Sequence, residues 1–261
     1  PMQGIGQFSR GIPKFEKFQL YCYPFRKATG GKDRLVNLDS VHELEKFLKK
    51  EIAPAAADIE TLEDKSRKHI QKLVYTNMVD RVDTMVDRCI LDNCKLDNLA
   101  EQALKNSTGP VTEADLIRLL MKGEGLQDAL TERLHEGLRN SVLRHRHSRK
   151  LQILLQTLVP SASADTGAPR VNISTGAIVD SFKVQRKDVP HSIVGYADWL
   201  YSRRNSIVHG SGTNKFLAND RAQIKKLWKV DLSSTFKISV GSIRVALQYY
   251  SDLIGILKSA D

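Results

Sequence analysis

Three side chains suited to chemistry on a phosphodiester lie within six residues of one another: Arg204, Asn205 and His209. Arginine stays charged and presents a planar fork of N–H donors that matches phosphate oxygens. Asparagine can hold a phosphate or sugar oxygen, or the histidine, by hydrogen bonds. Histidine titrates near neutrality and can act as a general acid or base. Together they supply part of what is needed to cleave RNA without a metal ion, by attack of the 2′-OH on the neighbouring phosphate.

The sequence around these residues predicts an amphipathic helix over residues 193–208. Apolar residues recur in it at helical spacing, namely Ile193, Ala197, Leu200 and Ile207. Gly210 and Gly212 follow as a helix stop, and His209 falls in the last turn. The candidate residues are therefore expected at the C-terminal end of a helix.

Arg204 falls on the apolar stripe of this helix, four residues after Leu200 and three before Ile207. A charge buried there needs a partner, because unpaired burial costs much free energy. Five positions on a regular helix turn by about 140°, so Arg204 and His209 point to different sides. The glycines after His209 let the last turn distort, which can bring both side chains to one cleft.

A structural interpretation of the same residues stays open. In it, His209 is a residue that the helix dipole favours at a C-terminus, Arg204 is a core arginine paired with an acid, and Asn205 is a surface residue. Arg203, next to Arg204, is either an additional phosphate contact or an exposed side chain.

The pattern Arg-Asn-x-x-x-His at a helix end resembles the signature of the HEPN superfamily, the higher eukaryote and prokaryote nucleotide-binding domains. Arg204, Asn205 and His209 match that motif, and a following glycine, here Gly210, is also usual. Many members of the family are metal-independent ribonucleases. The resemblance implies a long early helix packed against the motif helix, and a homodimer in which two copies of the motif form a composite active site.

The resemblance also implies roles for the three residues in an endoribonuclease that uses no metal ion and no cofactor. His209 would be the general acid/base, Arg204 would stabilise the phosphate and the transition state, and Asn205 would orient the reacting groups. Such proteins often serve as toxins or effectors in cellular or antiviral defence, and a regulatory protein partner is a further expectation. Two alternatives remain: a non-catalytic RNA- or nucleotide-binding module, and a dimeric interaction scaffold.

The charge balance favours a polyanionic partner such as RNA. The chain carries 40 Lys and Arg against 30 Asp and Glu, a net charge of +10. The densest basic run spans residues 139–150, and it either follows an RNA backbone or forms a solvated helix end whose cations favour the helix dipole. The RNA-contact candidates are Arg144, Arg146, Arg149, Lys150 and Arg203.

The apolar periodicity predicts an all-α fold, a helical bundle with minor short strands. Residues 1–39 are expected to form an N-terminal arm or extension, and residues 40–261 a helical domain of HEPN type with an exposed loop near 160–170. The longest predicted helix spans residues 58–94, with Leu73 among the apolar residues that recur every three or four positions. Its carboxylates alternate with basic residues, which favours a solvated face of ion pairs. A further helix with a polar face is predicted over residues 214–230.

Other segments carry weaker signals. Ser40 is a plausible helix N-cap with Glu43 completing a capping box, and Pro54 is expected to interrupt or end that helix. Leucines at strict spacing of four predict a helix over residues 126–142. Periodicity does not decide between helix and strand over residues 171–184.

Cysteine usage and hydropathy restrict the class of protein. The three cysteines form no Cys-x-x-Cys pair, so a structural zinc site is not expected, and the thiols are expected to be reduced in the cytoplasm. No apolar run has the length of a membrane span, and no membrane partner is expected. The N-terminal residues have no apolar core of signal-peptide length.

Overall fold

The protein has an all-α fold with one short two-stranded sheet among the residues described here. The computed structural model describes residues 36–106, 125–163, 168–181, 191–209 and 237–260, with single helical positions within 114–121 and 218–226. Nearly all of the predicted N-terminal arm, 1–39, lies outside these residues, as does most of the predicted helix over 214–230.

The helices are α1 Asp39–Phe47, α2 Ala53–Asp58, α3 Asp64–Asp92, α4 Asp97–Lys105, α5 Leu126–Asn140, α6 His147–Leu158, α7 Ile193–Val208 and α8 Val240–Lys258. The strands are β1 Pro169–Val171 and β2 Ile178–Ser181. A π-helical turn spans Leu48–Ile52, and 3₁₀ turns span Ile59–Thr61, Val142–Arg144 and Pro160–Ser163. None of the helices in the described residues is long and apolar enough to cross a bilayer.

The capping box predicted at the start of α1 is not present. Leu38 occupies the cap position, and the Asn37 side chain accepts the Asp39 backbone N–H at 2.9 Å instead. Ser40 is buried. Pro54 does not end the helical path, because the π-helical turn precedes it and places it in the first turn of α2, where no N–H is needed.

Helix α3 is the long helix that the periodicity predicted, but it begins six residues later than expected. Leu62 and Glu63 adopt extended backbone angles, which separates α3 from the preceding 3₁₀ turn. Leu73 is 51% exposed although it was assigned to the apolar stripe. The buried side of α3 is lined by Tyr75, Met78, Val79, Val82, Met85, Val86, Cys89 and Ile90.

The basic run at 139–150 does not form one helix end. Helix α5 stops at Asn140, because Ser141 leaves helical angles at φ −120° and ψ −84°. Val142 is buried in the 3₁₀ turn that follows, so the predicted helix over 126–142 is two residues too long. His147 to Lys150 open α6, and the dipole argument for cations at a C-terminus fails for them because they lie at a helix N-terminus.

The segment that periodicity left undecided contributes to a hairpin. Strand β1 pairs antiparallel with β2, and the chain turns through Gly176 at φ +80°. A Cβ on Gly176 would lie 1.9 Å from the Val245 carbonyl oxygen, so only glycine fits this turn against α8. The loop expected to be exposed near 160–170 is exposed only in part, since Ala162, Ser163 and Ala168 are buried.

Helix α7 lies in the core, packed against α3 and α6. The Tyr75 hydroxyl of α3 donates to the Leu200 carbonyl oxygen at 3.1 Å. The Tyr249 hydroxyl of α8 donates to the Ile193 carbonyl oxygen at 2.7 Å. A long early helix therefore does pack against the helix that carries Arg204, as the sequence led us to expect.

Candidate functional site

Helix α7 positions the three motif residues at its C-terminal end. It spans Ile193–Val208, as predicted, and the Ser192 hydroxyl accepts the Gly195 N–H at 2.9 Å as an N-cap. Ile193, Ala197 and Leu200 are buried and fix which side faces the core. That anchoring leaves the last turn at the surface.

Arg204 is held by a carboxylate from α3. Its Nε and Nη2 lie 2.6 and 3.1 Å from the two oxygens of Asp80, and its Nη1 donates to Asn205 Oδ1 at 3.0 Å. The hydrogen bond with Asp80 raises the pKa of Arg204, so the guanidinium stays charged. The buried arginine that was expected to need an acidic partner has one.

The Arg204 guanidinium keeps donors that these contacts do not use. A guanidinium has five N–H groups; one on Nη1 and one on Nη2 are hydrogen-bonded to Asn205 and Asp80, while Nε lies 2.6 Å from an Asp80 oxygen in the ion pair without hydrogen-bond geometry, so these contacts leave the second N–H of Nη1 and of Nη2. The side chain is 22% exposed, so it is not sealed inside the protein. The Tyr201 ring lies beneath it, 5.9 Å from the guanidinium carbon. The arginine is therefore fixed in place and still open on one side.

His209 caps α7 and is exposed. Its backbone N–H donates to the Asn205 carbonyl oxygen at 3.0 Å. The helix stays regular through Val208, so Arg204 and His209 of one copy leave its axis about 140° apart. The described residues bring Arg204 and Asn205 side chains together, but not His209 with either. The glycines expected to distort the turn lie outside the described residues.

A second polar cluster adjoins this site, and sequence inspection did not find it. We call it the buried cluster: Asp83 and Asp87 of α3 with His147 and Lys150 of α6. Lys150 Nζ lies 2.8 Å from Asp83 Oδ1 and 2.6 Å from Asp87 Oδ1. His147 Nδ1 lies 2.7 Å from Asp83 Oδ1. The Lys150 side chain is only 6% exposed, whereas the Asp83 and Asp87 side chains are 25% and 35% exposed.

Electrostatics explain why this cluster stays ionised. Burial alone would raise the pKa of Asp83, but hydrogen bonds from His147 and Lys150 lower it to about 2. Burial would lower the pKa of Lys150, but its two carboxylate partners raise it. For Asp87, burial is the larger effect and the pKa is raised despite the hydrogen bond from Lys150. His147 and Lys150 together therefore outweigh desolvation at Asp83, whereas the bond from Lys150 does not outweigh it at Asp87.

Tyr201 joins the buried cluster to the motif. The His147 ring stacks on the Tyr201 ring, with 5.0 Å between centroids and 7° between planes. The same tyrosine ring faces the Arg204 guanidinium. The orientation of Arg204 is therefore coupled through Tyr201 to the packing of α6 on α3.

The α3 carboxylates Asp80, Asp83 and Asp87 form ion pairs, as predicted, but their partners are not on α3, and Asp83 and Asp87 are less solvated than expected, at 25% and 35% exposed. Their spacing of three and four residues places them on one side of the helix, and we call them the aspartate stripe. That side is turned towards α6 and α7, whose cations satisfy it. The spacing was visible in the sequence, but the partners lie at least 63 residues away along the chain.

The RNA-contact candidates occupy four different settings. Arg144 and Arg149 are exposed, and each donates only to a neighbouring amide, Asn140 or Gln152. Arg146 pairs with Asp198 at 2.7 Å, and burial raises the pKa of that carboxyl. Lys150 belongs to the buried cluster and does not present its charge at the surface.

Arg203 is engaged in packing. Its guanidinium carbon lies 5.5 Å from the ring centroids of both Tyr75 and Trp199, and its Nη2 lies 3.4 Å from the Ser242 hydroxyl. These contacts tie the end of α7 to α3 and α8. Arg203 therefore packs between two aromatic rings, whereas its neighbour Arg204 is held by the Asp80 carboxylate.

Comparisons of this chain with protein-family models, with curated proteins and with solved structures found no match. Within the described residues, no group of three His, Cys, Asp or Glu side chains is arranged to hold a metal ion.

Proposed function

We propose that this chain is a HEPN-type endoribonuclease that cleaves RNA without a metal ion, as a homodimer. One observation carries the proposal: Asp80 and Asn205 hold the Arg204 guanidinium at the exposed end of α7 while two of its N–H groups remain unused by them. Those donors suit two oxygens of a phosphate. The exposed His209 follows one turn later on the same helix.

Each residue has a role that its contacts support. Arg204 would stabilise the negative charge that builds on the phosphate during 2′-OH attack. Asn205 accepts a hydrogen bond from Arg204 through Oδ1, which leaves its amide N–H groups to orient the substrate. His209 is exposed and would transfer a proton to or from the reacting oxygens. Products would carry 2′,3′-cyclic phosphate or 3′-phosphate ends and 5′-OH ends.

A second copy of the chain would complete the site. The reaction needs a base for the 2′-OH and an acid for the leaving 5′-oxygen, and one histidine does not easily serve as both. Arg204 and His209 of one copy also leave α7 in different directions. Two helix ends facing one another would supply two histidines and two arginines to a single phosphate. A cytoplasmic toxin or defence effector would suit such an activity.

The test is RNA cleavage in excess EDTA by the wild-type protein, His209→Ala and His42→Ala. His42 is an exposed histidine on α1, far along the chain from the motif, and serves as the matched control. We expect cleavage by the wild type and His42→Ala only, with 5′-OH ends on the products. Equal cleavage by His209→Ala would refute the assignment of His209, and dependence on a divalent ion would refute the mechanism.

The ion pair of Arg204 with Asp80 favours a second candidate, an interaction scaffold in which the motif only packs a helical dimer. A non-catalytic RNA-binding module differs from it in binding RNA without cleavage. For the scaffold, Arg204→Ala would lower the dimer's stability, and RNA would have no effect on the protein. For the binding module, RNA affinity would fall steeply with salt.

A further inference from the structure

One face of α3 changes its charge along its length. Successive residues of an α-helix turn by 100°, so Lys65, His69 and Lys72 fall within a sector of about 80° that also contains the aspartate stripe. The C-terminal half of this sector is acidic and the N-terminal half is basic. Neutral Thr76 lies between the two halves.

The two halves also differ in what covers them. The acidic half lies under α6 and α7, which supply His147, Lys150 and Arg204 as partners. On the basic half, Lys65, Lys68, His69 and Lys72 are exposed and line an open groove together with Asp64. We call these four residues the lysine face.

The lysine face carries more positive charge than its own helix compensates. Among the described residues, Asp64 is the only acid that lines the groove, and its ion pair with Lys68 at 2.8 Å is on the surface, where such pairs contribute little. Lys68 and Lys72 stand four residues apart, a spacing at which like charges destabilise a helix. An external polyanion would relieve this repulsion.

We propose that the lysine face is an RNA-backbone contact that leads the strand towards Arg204. This inference rests on the proposed function, because it assumes that RNA is the substrate. A rise of 1.5 Å per residue puts Lys72 about 12 Å and Lys65 about 22 Å along α3 from Asp80, the partner of Arg204. The face therefore contacts phosphates several nucleotides from the one that is cleaved.

This position fixes what the lysine face does and does not do. Lysine ammonium groups act on phosphates as point charges and do not read base edges. The contact therefore contributes affinity without sequence preference. Neutralising it should raise KM and leave kcat almost unchanged, because no group on it reaches the reacting atoms.

The experiment measures RNA binding separately from cleavage, in a His209→Ala background. The probe is a fluorescein-labelled single-stranded RNA of mixed sequence, titrated at several salt concentrations. The test variant is Lys65→Gln/Lys68→Gln/Lys72→Gln. The control is Lys49→Gln/Lys50→Gln/Lys105→Gln, which removes the same charge from exposed lysines elsewhere.

We expect the test variant to lower the slope of log K against log salt by about 2, since each lost phosphate contact on single-stranded RNA accounts for about 0.7. The control should change the slope by less than a third of that. Replacement of the same three lysines by arginine should retain the wild-type slope, which excludes misfolding as the cause.

Two results would overturn the inference: equal slopes for the test and control variants, or no RNA binding by the parent protein. Failure of the proposed function looks different. If the wild type binds RNA through the lysine face but leaves it intact, the contact stands and the enzyme assignment falls. If the wild type cleaves RNA and the slopes are equal, the enzyme assignment stands and the contact falls.

Discussion

Lys150 and Arg204 both meet the aspartate stripe of α3, but in different environments. Lys150 is 6% exposed, and its ammonium group is shared between Asp83 and Asp87. Arg204 is 22% exposed, and it meets one carboxylate with part of its guanidinium. Lys150 has two acidic partners and almost no access to solvent, whereas Arg204 has one acidic partner and keeps partial access to solvent.

This difference separates a stabilising cation from one that can act on a substrate. Lys150 is bound by two carboxylates and is almost fully buried, so a phosphate cannot reach its ammonium group without breaking these pairs. Arg204 is oriented by Asp80 and Asn205, and the second N–H groups of its Nη1 and Nη2 can still bind an anion. Burial and the number of acceptors distinguish the two, whereas their charge does not.

The largest expected effect is on stability, from Lys150→Met. The substitution leaves Asp83 and Asp87 without their shared counter-charge, and removing one partner of a buried ion pair costs about 3 kcal/mol. Urea unfolding measures the loss. The control is Lys49→Met, whose exposed pair with Glu45 should contribute within about 0.5 kcal/mol. Equal small losses for the two variants would show that the buried cluster is not stabilising.

The next largest expected effect is a loss of stability in acid, through the buried cluster. The folded-state pKa of Asp83 is about 2, below its ordinary value of 3.8, so its stabilisation is complete above about pH 4 and is lost as pH falls towards 2. Asp87 has a raised pKa and opposes this trend. The midpoints of urea unfolding from neutral pH to pH 2 measure the net effect of the two aspartates. Asp83→Asn should make the midpoint depend less on pH in that window. If Asp83→Asn loses as much stability in acid as the wild type does, Asp83 is not the group that makes the protein acid-sensitive.

Arg203→Met should have a smaller effect, of about 1 kcal/mol. It removes the guanidinium from the faces of Tyr75 and Trp199, and such contacts each contribute about 0.5–1 kcal/mol when partly exposed. Thermal unfolding measures the loss. RNA cleavage should change far less than for Arg204, since Arg203 faces the core aromatics. A loss of activity with unchanged stability would instead place Arg203 on the substrate.

The smallest expected effect on stability comes from Arg144→Gln/Arg149→Gln. Both arginines are exposed and bonded only to nearby amides, so unfolding should change by less than about 0.5 kcal/mol. If they contact RNA, the slope of log K against log salt should fall by about 0.7 for each. An unchanged slope would remove the basic run from the RNA-binding surface.

The spacing of apolar residues was sufficient to predict the helices that bury one side against the core. The boundaries of α7 were predicted to the residue, because the apolar residues and the glycines after His209 mark them. The interruption expected at Pro54 is present, but as a π-helical turn over Leu48–Ile52, which no local pattern signals and which places Pro54 at the start of α2. Leu73 was misjudged because it stands seven residues before Asp80, which puts it on the side of α3 that carries the aspartates and not on the buried side.

The site was predictable only in its motif. The sequence indicated that Arg204 needs an acid, but the acid is Asp80, 124 residues earlier. The buried cluster was missed because its parts lie on α3 and α6, and only packing shows that Lys150 meets Asp83 and Asp87. The spacing of the aspartates could have predicted the buried cluster, since it places three carboxylates on one side of α3, a helix whose buried side is apolar.

The most direct test compares Arg204→Lys with the wild type for both RNA cleavage in EDTA and the free energy of unfolding. Lysine keeps the charge beside Asp80 but not the fork of donors. We predict a loss of about 10²-fold in cleavage rate, as for a lost transition-state donor, with unfolding changed by less than about 1 kcal/mol. Wild-type cleavage by a folded Arg204→Lys protein would contradict the account, because Arg204 would then serve only to hold α7 against α3.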